Sequence, residues 1–115
     1  MIIPNDASYM GEWADDEKAH RIGFYLIPGF SMIAFVAALE PLRLANLVSG
    51  KTIYSWYTIS HETGMVNATN SIAVNVAQTI DQTPSLETIF VCGGIGLEKP
   101  REKQLFWFLR KQAAY

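Results

Sequence analysis

This sequence has very little cysteine and a net charge close to zero. The 115 residues contain one cysteine, Cys92, so no internal disulfide forms and a secreted disulfide scaffold is excluded. The net charge is -2, so charge alone gives no reason to expect a nucleic-acid surface. The chain does not open on a basic segment followed by an apolar core and a cleavage site. The sequence therefore predicts no signal peptide and a cytoplasmic location.

Charge is also missing between Ile22 and Leu39, over about the length of a membrane span. Pro28 and Gly29 interrupt this run, and a proline next to a glycine is a turn signal. The run is therefore interpreted as a buried strand, a turn and a helix, and no membrane partner is expected.

The remaining residues divide into an acidic tail and one domain. Residues 1–19 carry five acidic residues against one lysine and are predicted to form a flexible tail. In the domain, residues 20–115, Ser31 is expected to cap the first helix, Pro41 to kink it and Gly50 to end it. Strands are predicted at 21–27, 53–60 and 87–91, a strand or hairpin within 66–76, a turn at 61–64, a loop at 81–85 and a helix over 101–114 with Pro100 in its first turn.

Apolar side chains show how the two predicted helices pack. In the first helix a single apolar face is expected, formed by Met32, Phe35, Val36, Leu39 and Leu42. In the last helix residues 105–109 are apolar on more than one side. A surface helix of a complete domain carries one apolar stripe, so this helix is expected to need further cover. The chain is accordingly interpreted as a fragment, or as a domain that a partner completes.

Two of the predicted strands run directly into glycine turns, which indicates a ligand site. In a parallel sheet, ligands bind at the carboxyl ends of the strands, near a switch in strand order. Adjacent backbone N–H groups at Gly93 and Gly94 are suited to a carboxylate or an oxyanion. The predicted ligand-binding residues are Pro28, Gly29, Phe30, Ser31, Cys92, Gly93, Gly94 and Ile95.

Other candidate motifs are weak. Gly50-Lys51-Thr52 lacks the earlier glycine and the strand-before-helix order of a phosphate-binding loop. Gly94-Ile95-Gly96 has Lys99 where a dinucleotide fingerprint needs a third glycine. Cys92 has no histidine or acidic residue beside it in sequence and is interpreted as a small buried thiol. His61 is interpreted as a solvated loop histidine. No metal ligand set and no cofactor are predicted.

Three segments together resemble a known family. They are Phe-Tyr-Leu-Ile-Pro-Gly-Phe-Ser at 24–31, Ala-Leu-Glu-Pro-Leu-Arg-Leu-Ala-Asn at 38–46, and Phe-Val-Cys-Gly-Gly at 90–94. They resemble the N-terminal part of a ThiJ/PfpI-like domain, related to class I glutamine amidotransferases, as found in the sensor of AraC/XylS-type transcriptional regulators. The resemblance covers about residues 20–115. It implies a flavodoxin-like three-layer α/β sandwich with a mainly parallel sheet, incomplete in this chain, and a homodimer.

The resemblance also bears on catalysis. Enzymes of this family have a nucleophilic cysteine on a later strand-to-helix elbow and an acidic residue early in the first helix, where this chain has Ala34. It therefore implies a non-catalytic domain that binds a small effector, such as an amino acid or a quaternary amine. DNA would be contacted only through a C-terminal helix-turn-helix part outside this chain. Two alternatives remain: a ThiJ/PfpI-type cysteine-dependent amidase, hydrolase or glyoxalase-like enzyme, and a nucleotide or flavin module.

Overall fold

The computed structural model describes residues 18–61, 64–76, 78–94 and 99–114, with side chains from residue 103 onward in the last range. The predicted tail lies outside these residues except for its last two, and Ile95 lies outside them as well. The elements in chain order are β1 (His20–Leu26), α1 (Met32–Ser49), β2 (Tyr54–Ser60), β3 (Gly64–Asn67), β4 (Ala73–Val76), β5 (Gln78–Thr79), β6 (Thr88–Cys92) and α2 (Lys99–Ala113).

A parallel sheet with strand order β5-β2-β1-β6 forms the centre of the fold. β1 pairs in parallel with β2 on one side, with His20 opposite Tyr54, and with β6 on the other, with Ile22 opposite Thr88. The chain thus places β2 on one side of β1 and later returns to add β6 on the opposite side. This change of direction is the switch point of a flavodoxin-like sheet, and it confirms the predicted α/β class.

The sheet lies between two apolar clusters because the side chains of β1 alternate between its faces. Phe24 and Leu26 belong to a cluster that includes Phe35 of α1. Tyr25 belongs to the opposite cluster, which includes Phe108 of α2. The order of layers is therefore α1, sheet, α2, as in the predicted sandwich.

α1 begins and ends as the sequence predicts. The Ser31 side chain accepts a hydrogen bond from the backbone N–H of Ala34, and Gly50 closes the helix in the left-handed conformation at φ 69°. The helix is continuous through Pro41, so a kink there stays a prediction. Of the predicted apolar face, Phe35 is buried, and Met32, Leu39 and Leu42 pack partly on the core. Val36 is instead 39% exposed, because it lies at the flank of the packed face.

Asn46 ties the end of α1 to the start of β2. Its Oδ1 accepts hydrogen bonds from the backbone N–H groups of Ile53 and Tyr54, at 2.9 and 3.0 Å. Its Nδ2 donates to the carbonyl oxygen of Tyr54 at 2.9 Å. One side chain therefore satisfies three backbone groups at the entry to β2.

The predicted hairpin is confirmed: β3 and β4 pair antiparallel, with Gly64 opposite Val76. The predicted loop at 81–85 is partly wrong, because its first two residues belong to a short 3-10 helix, Ile80–Gln82. α2 buries Leu105 and Phe108 and leaves Phe106 and Trp107 about half exposed. The prediction that this helix is apolar on two sides is thus confirmed: one side packs on the sheet and the other faces outward.

Candidate functional site

The two glycine turns lie side by side at the carboxyl ends of β1 and β6. The backbone N–H of Ile27 donates to the carbonyl oxygen of Cys92 at 3.0 Å, and that of Ser31 donates to Gly93 at 2.9 Å. Phe30 of the first turn and Gly94 of the second also pair as an isolated antiparallel bridge. The two turns are therefore neighbours, and they flank the switch point between β1 and β6. That they bind a ligand stays a prediction.

Two positions in these turns require glycine, Gly94 because of the close contact and Gly29 because of its backbone conformation. A Cβ atom on Gly94 would lie 2.1 Å from the carbonyl oxygen of Gly29, far inside the contact distance of real atoms. Gly29 itself has φ 83°, a backbone conformation that side chains disfavour. At Gly93, by contrast, the nearest atom to an added Cβ is the Ile27 methyl at 4.0 Å. A Cβ on Gly93 would thus make an ordinary contact with Ile27, and nothing has to move.

The hairpin holds the first turn from its other side. The backbone N–H of Gly29 donates to the carbonyl oxygen of Asn67 at 2.8 Å, and that of Thr69 donates to Phe30 at 2.9 Å. Phe30 also forms a parallel bridge with Ala68. The turn is therefore fixed between β6 and the hairpin. The sequence did not indicate this role, because the hairpin has no pattern that assigns it to a particular edge of the sheet.

α1 begins at this site. Ser31 Oγ caps the helix at 3.3 Å from the Ala34 nitrogen, and the Ser31 carbonyl accepts from the N–H of Phe35 at 3.1 Å. The first turn of α1 carries no acidic residue, and Ala34 is exposed there. The partial positive charge of this helix N-terminus therefore lies at the site, and no carboxylate in the first turn neutralises it. This arrangement favours binding of an anionic group.

The predicted site residues differ in how much they present to solvent. Pro28, Gly93 and Gly94 are exposed, and Gly29 and Ser31 are partly exposed. Phe30 is fully buried and Cys92 is 6% exposed, so their side chains belong to the core and only their backbone borders the site. The predicted Ile95 lies outside the described residues. The accessible part of the site is therefore mainly backbone.

Cys92 has the properties of a structural thiol. Burial raises its pKa to about 11, because the thiolate would lose its solvation. Its Sγ lies 3.9 Å from the carbonyl oxygen of Phe90. At neutral pH the group is therefore a protonated thiol, as its interpretation as a small buried residue requires, and it is a poor nucleophile.

A pocket adjoins the first turn on the α2 side of the sheet. Its volume is about 10 Å³, enough for about one water molecule. The residues that line it are Tyr25, Leu26, Ile27, Pro28, Ser60, His61 and Leu105. Pro28 connects this pocket to the two glycine turns. Most of the lining is apolar.

His61 is the polar group that sequence reasoning missed in this pocket. Its Nδ1 atom is buried and has no hydrogen-bond partner within the described part of the chain. A buried polar atom without a partner costs stability unless a ligand or water satisfies it. His61 also borders a second, more open pocket, with Ile80, Asp81, Gln104 and Trp107. One signal pointed to it: β2 is parallel to β1, so His61 follows a strand that ends at the same edge.

The opposite edge of the sheet has a polar cluster of its own. His20 Nδ1 lies 2.5 Å from Glu87 Oε2, and His20 Nε2 lies 2.9 Å from Thr88 Oγ1. Both partners stand at the start of β6, so the cluster links β6 to β1. In the described ranges no three His, Cys, Asp or Glu side chains are grouped so as to hold a metal ion.

The sequence is similar to several transcriptional regulators, although no protein-family model matches it. It is 35% identical over 98 residues to the HTH-type transcriptional regulator GbdR of Pseudomonas aeruginosa, covering 85% of this chain and 27% of GbdR. It is 33% identical over 85 residues to the HTH-type transcriptional regulator GlxA of Rhizobium meliloti, covering 74% of this chain and 26% of GlxA. The chain thus spans about a quarter of the length of these relatives.

Solved structures show the same fold. An AraC family transcriptional regulator from Pseudomonas putida superposes with a TM-score of 0.71 at 26% identity, covering 83% of this chain and 51% of that one. A ThiJ/PfpI family protein from Pseudomonas syringae superposes with a TM-score of 0.67 at 16% identity, covering 98% of this chain and 45% of that one. At 16% identity the second likeness concerns the fold alone.

Proposed function

We propose, from the premise that this chain is related to AraC-family transcriptional regulators and has the ThiJ/PfpI-type fold, that it is part of the ligand-sensing domain of such a regulator. In this proposal a small metabolite binds at the carboxyl edge of the sheet. The observation that carries the proposal is the meeting of two glycine turns and the α1 N-terminus at the switch point.

The geometry favours an effector with a carboxylate. Gly93 and Gly94 present exposed backbone, and the nearby end of α1 is positive in partial charge. The adjoining pocket places apolar side chains and the unpartnered His61 Nδ1 beside these turns, with room for about one water-sized group of the molecule. A small amino acid or a carboxylated quaternary amine fits this arrangement, in agreement with the class that the family resemblance implies.

The proposed domain is not an enzyme. Its one cysteine is a buried thiol with a pKa of about 11, and Ala34 occupies the position at which the family's enzymes carry an acid. A cysteine-dependent amidase, hydrolase or glyoxalase-like lyase is the alternative function. It would need a nucleophile and an acid supplied by other residues.

The remaining parts of the proposal concern the intact protein. DNA is contacted through a helix-turn-helix part outside this chain, and the sensing domain itself contacts none. The regulator acts in the cytoplasm as a homodimer, and effector binding changes its affinity for an operator. Relatives named as HTH-type regulators support this scheme.

A thermal-shift screen of the intact protein tests the proposal. Matched pairs of compounds differ only in the carboxylate: glycine betaine with choline, and neutral amino acids with their amides. A ligand that binds the folded state raises Tm in a concentration-dependent way. The expected result is that one or more carboxylates raise Tm, that their partners without a carboxylate do not, and that the compounds are recovered unchanged. Conversion of a compound into product would favour the enzyme instead.

A further inference from the structure

The more open of the two pockets that His61 borders has a volume of about 240 Å³ and lies at the carboxyl ends of β2 and β5. These strands pair in parallel, with Ser60 opposite Thr79, so the residues that follow them meet at one edge of the sheet. His61 follows β2, and Ile80 and Asp81 follow β5. We refer to this cavity as the β2–β5 pocket.

α2 forms the remaining wall of the β2–β5 pocket through Gln104 and Trp107. These residues are three apart, so they share one face of the helix. Trp107 is 51% exposed, and Lys111, a further turn along, has its Nζ 5.1 Å from the centre of the Trp107 ring system. The face of an indole attracts cations, and this ring already accepts one ammonium group.

Hydrogen bonds outside the pocket hold its walls in place. The Thr83 hydroxyl donates to the carbonyl oxygen of Thr79 at 2.6 Å, which closes the short 3-10 helix that carries Asp81. Gln112 of α2 accepts from the backbone N–H of Leu86 at 2.9 Å and donates to the carbonyl oxygen of Pro84 at 3.1 Å. Gln112 is buried, so these bonds fix α2 against the segment that follows the 3-10 helix.

Three polar side chains around this pocket have hydrogen-bonding capacity that the described residues do not use. Asp81 and Gln104 are exposed and have no hydrogen-bond or ion-pair partner among these residues. His61 Nδ1 is buried and likewise has no partner there. The amide side chain of Gln112, by contrast, is bonded to backbone groups through both its oxygen and its nitrogen. The β2–β5 pocket thus presents free polar groups to a ligand.

We propose that the β2–β5 pocket binds the primary ammonium group of a small organic amine. Asp81 supplies a carboxylate and is the one charged residue among the described residues that line the pocket. An ammonium group has three N–H donors, so it can also reach Gln104 Oε1 or His61 Nδ1, which accepts when the imidazole proton is on Nε2. Trp107 and Ile80 are available to the apolar part of the amine.

Other ligand classes fit this set of groups less well. A carboxylate or a phosphate would be repelled by Asp81, and no described residue that lines the pocket carries a positive charge. A quaternary ammonium has no N–H group, so it would leave the Asp81 carboxylate and His61 Nδ1 without a hydrogen bond. The inference goes beyond the proposed effector site, which takes a carboxylate at the glycine turns.

Calorimetric titration of the intact protein with phenethylamine tests the inference. Its N-trimethyl analogue keeps the charge and loses the N–H donors, and phenethyl alcohol loses the charge. Wild type is expected to bind phenethylamine at least about tenfold more tightly than either analogue, because a hydrogen bond to a carboxylate is worth more than about 1.4 kcal/mol. Equal binding of the N-trimethyl analogue, or no binding of phenethylamine by wild type, overturns the inference.

Two pairs of variants locate the bound amine. Asp81→Asn removes the carboxylate and keeps its shape, and Glu87→Gln is the matched loss of charge at the opposite edge of the sheet. Trp107→Ala removes the aromatic wall, and Phe106→Ala removes a neighbouring α2 side chain that is 55% exposed and does not line the pocket. Asp81→Asn is expected to weaken phenethylamine binding at least about tenfold and Trp107→Ala at least about threefold, while both controls bind like wild type.

All four variants replace exposed or half-exposed side chains, and circular dichroism checks that each is folded. Unchanged affinity in Asp81→Asn, or an equal loss in Glu87→Gln, would show that the amine does not bind in the β2–β5 pocket. Thermal shifts by carboxylates, measured on Asp81→Asn, report the proposed effector site independently. If those shifts persist while wild type fails to bind phenethylamine, only the amine site is wrong.

Discussion

The carbonyl oxygen of Gly29 would lie 2.1 Å from a Cβ atom on Gly94. The turns after β1 and β6 are therefore in direct backbone contact, and the space between them has no room for a side chain. Because these turns leave the sheet at its switch point, this contact fixes the shape of the proposed effector site.

Replacing Gly94 tests this contact. Gly94→Ala is expected to lower the free energy of unfolding by about 2–3 kcal/mol, because backbone on both sides must move apart. Gly93→Ala is the matched control, since its Cβ would lie at ordinary contact distance from Ile27, and is expected to change stability by less than about 1 kcal/mol. Urea denaturation measures both. Equal costs for the two variants would show that the turns are not held together as described.

Two substitutions of Ser31, which caps α1, are expected to affect stability and effector binding differently. Ser31→Ala is expected to cost about 1 kcal/mol, because the N–H of Ala34 loses its acceptor. Ser31→Asp keeps the cap and should restore stability, but it adds a negative charge beside the proposed carboxylate site. It is therefore expected to weaken carboxylate binding. Thermal unfolding with and without ligand measures both effects. Carboxylate binding by Ser31→Asp equal to that of wild type would argue against this end of α1 as part of the site.

Substitution of Asn46 is expected to lower the free energy of unfolding more than substitution of most other polar residues. Asn46→Ala removes three hydrogen bonds to the start of β2 and should cost about 2–3 kcal/mol. Asn46→Asp keeps the acceptor for Ile53 and Tyr54 and loses the donor, so its cost should be smaller. Chemical denaturation of both variants gives the order. If the aspartate variant is the less stable of the two, the acceptor bonds are not the main contribution.

The buried thiol of Cys92 makes the stability of the protein depend on pH in the alkaline range. Burial raises the pKa of Cys92 from 9.0 to about 11, so the unfolded chain releases its proton first as pH rises. The contribution of this group to stability is thus complete below about pH 9 and is lost as pH approaches 11. At pH 8 a thiol reagent is expected to label denatured protein rapidly and folded protein slowly. Rapid labelling of the folded protein would show a reactive thiolate and revive the enzyme alternative.

Sequence reasoning located most of the elements because their signals are local. The apolar run before Pro28, the capping residue Ser31 and the stop at Gly50 each depend on neighbours within a few residues. The parallel arrangement followed from apolar strands that end in glycine turns. Strand boundaries were displaced by a residue, as between the predicted 21–27 and the observed His20–Leu26.

Contacts between distant segments could not be predicted in the same way. Phe30 is apolar and lies in a turn, so sequence alone does not show that the hairpin and β6 enclose it. The position of His61 in a turn after a strand predicts a solvated side chain, whereas Leu105 of α2, more than forty residues later, lines the same pocket. Val36 keeps helical spacing with the core residues, and only the position of α1 on the sheet shows that it lies at the flank.

Calorimetric titration of a variant with a blocked site tests directly whether the effector binds at the meeting of β1 and β6. Gly93→Leu adds a bulky side chain at an exposed position of the second turn, beside Ile27. Thr52→Val, an exposed position before β2 at the opposite edge of the sheet, is its control. Both intact variants are titrated with the carboxylate that raises Tm most. Thr52→Val is expected to bind like wild type, and Gly93→Leu is expected to bind at least tenfold more weakly while remaining folded. Equal affinity for both variants would contradict an effector site at the meeting of β1 and β6.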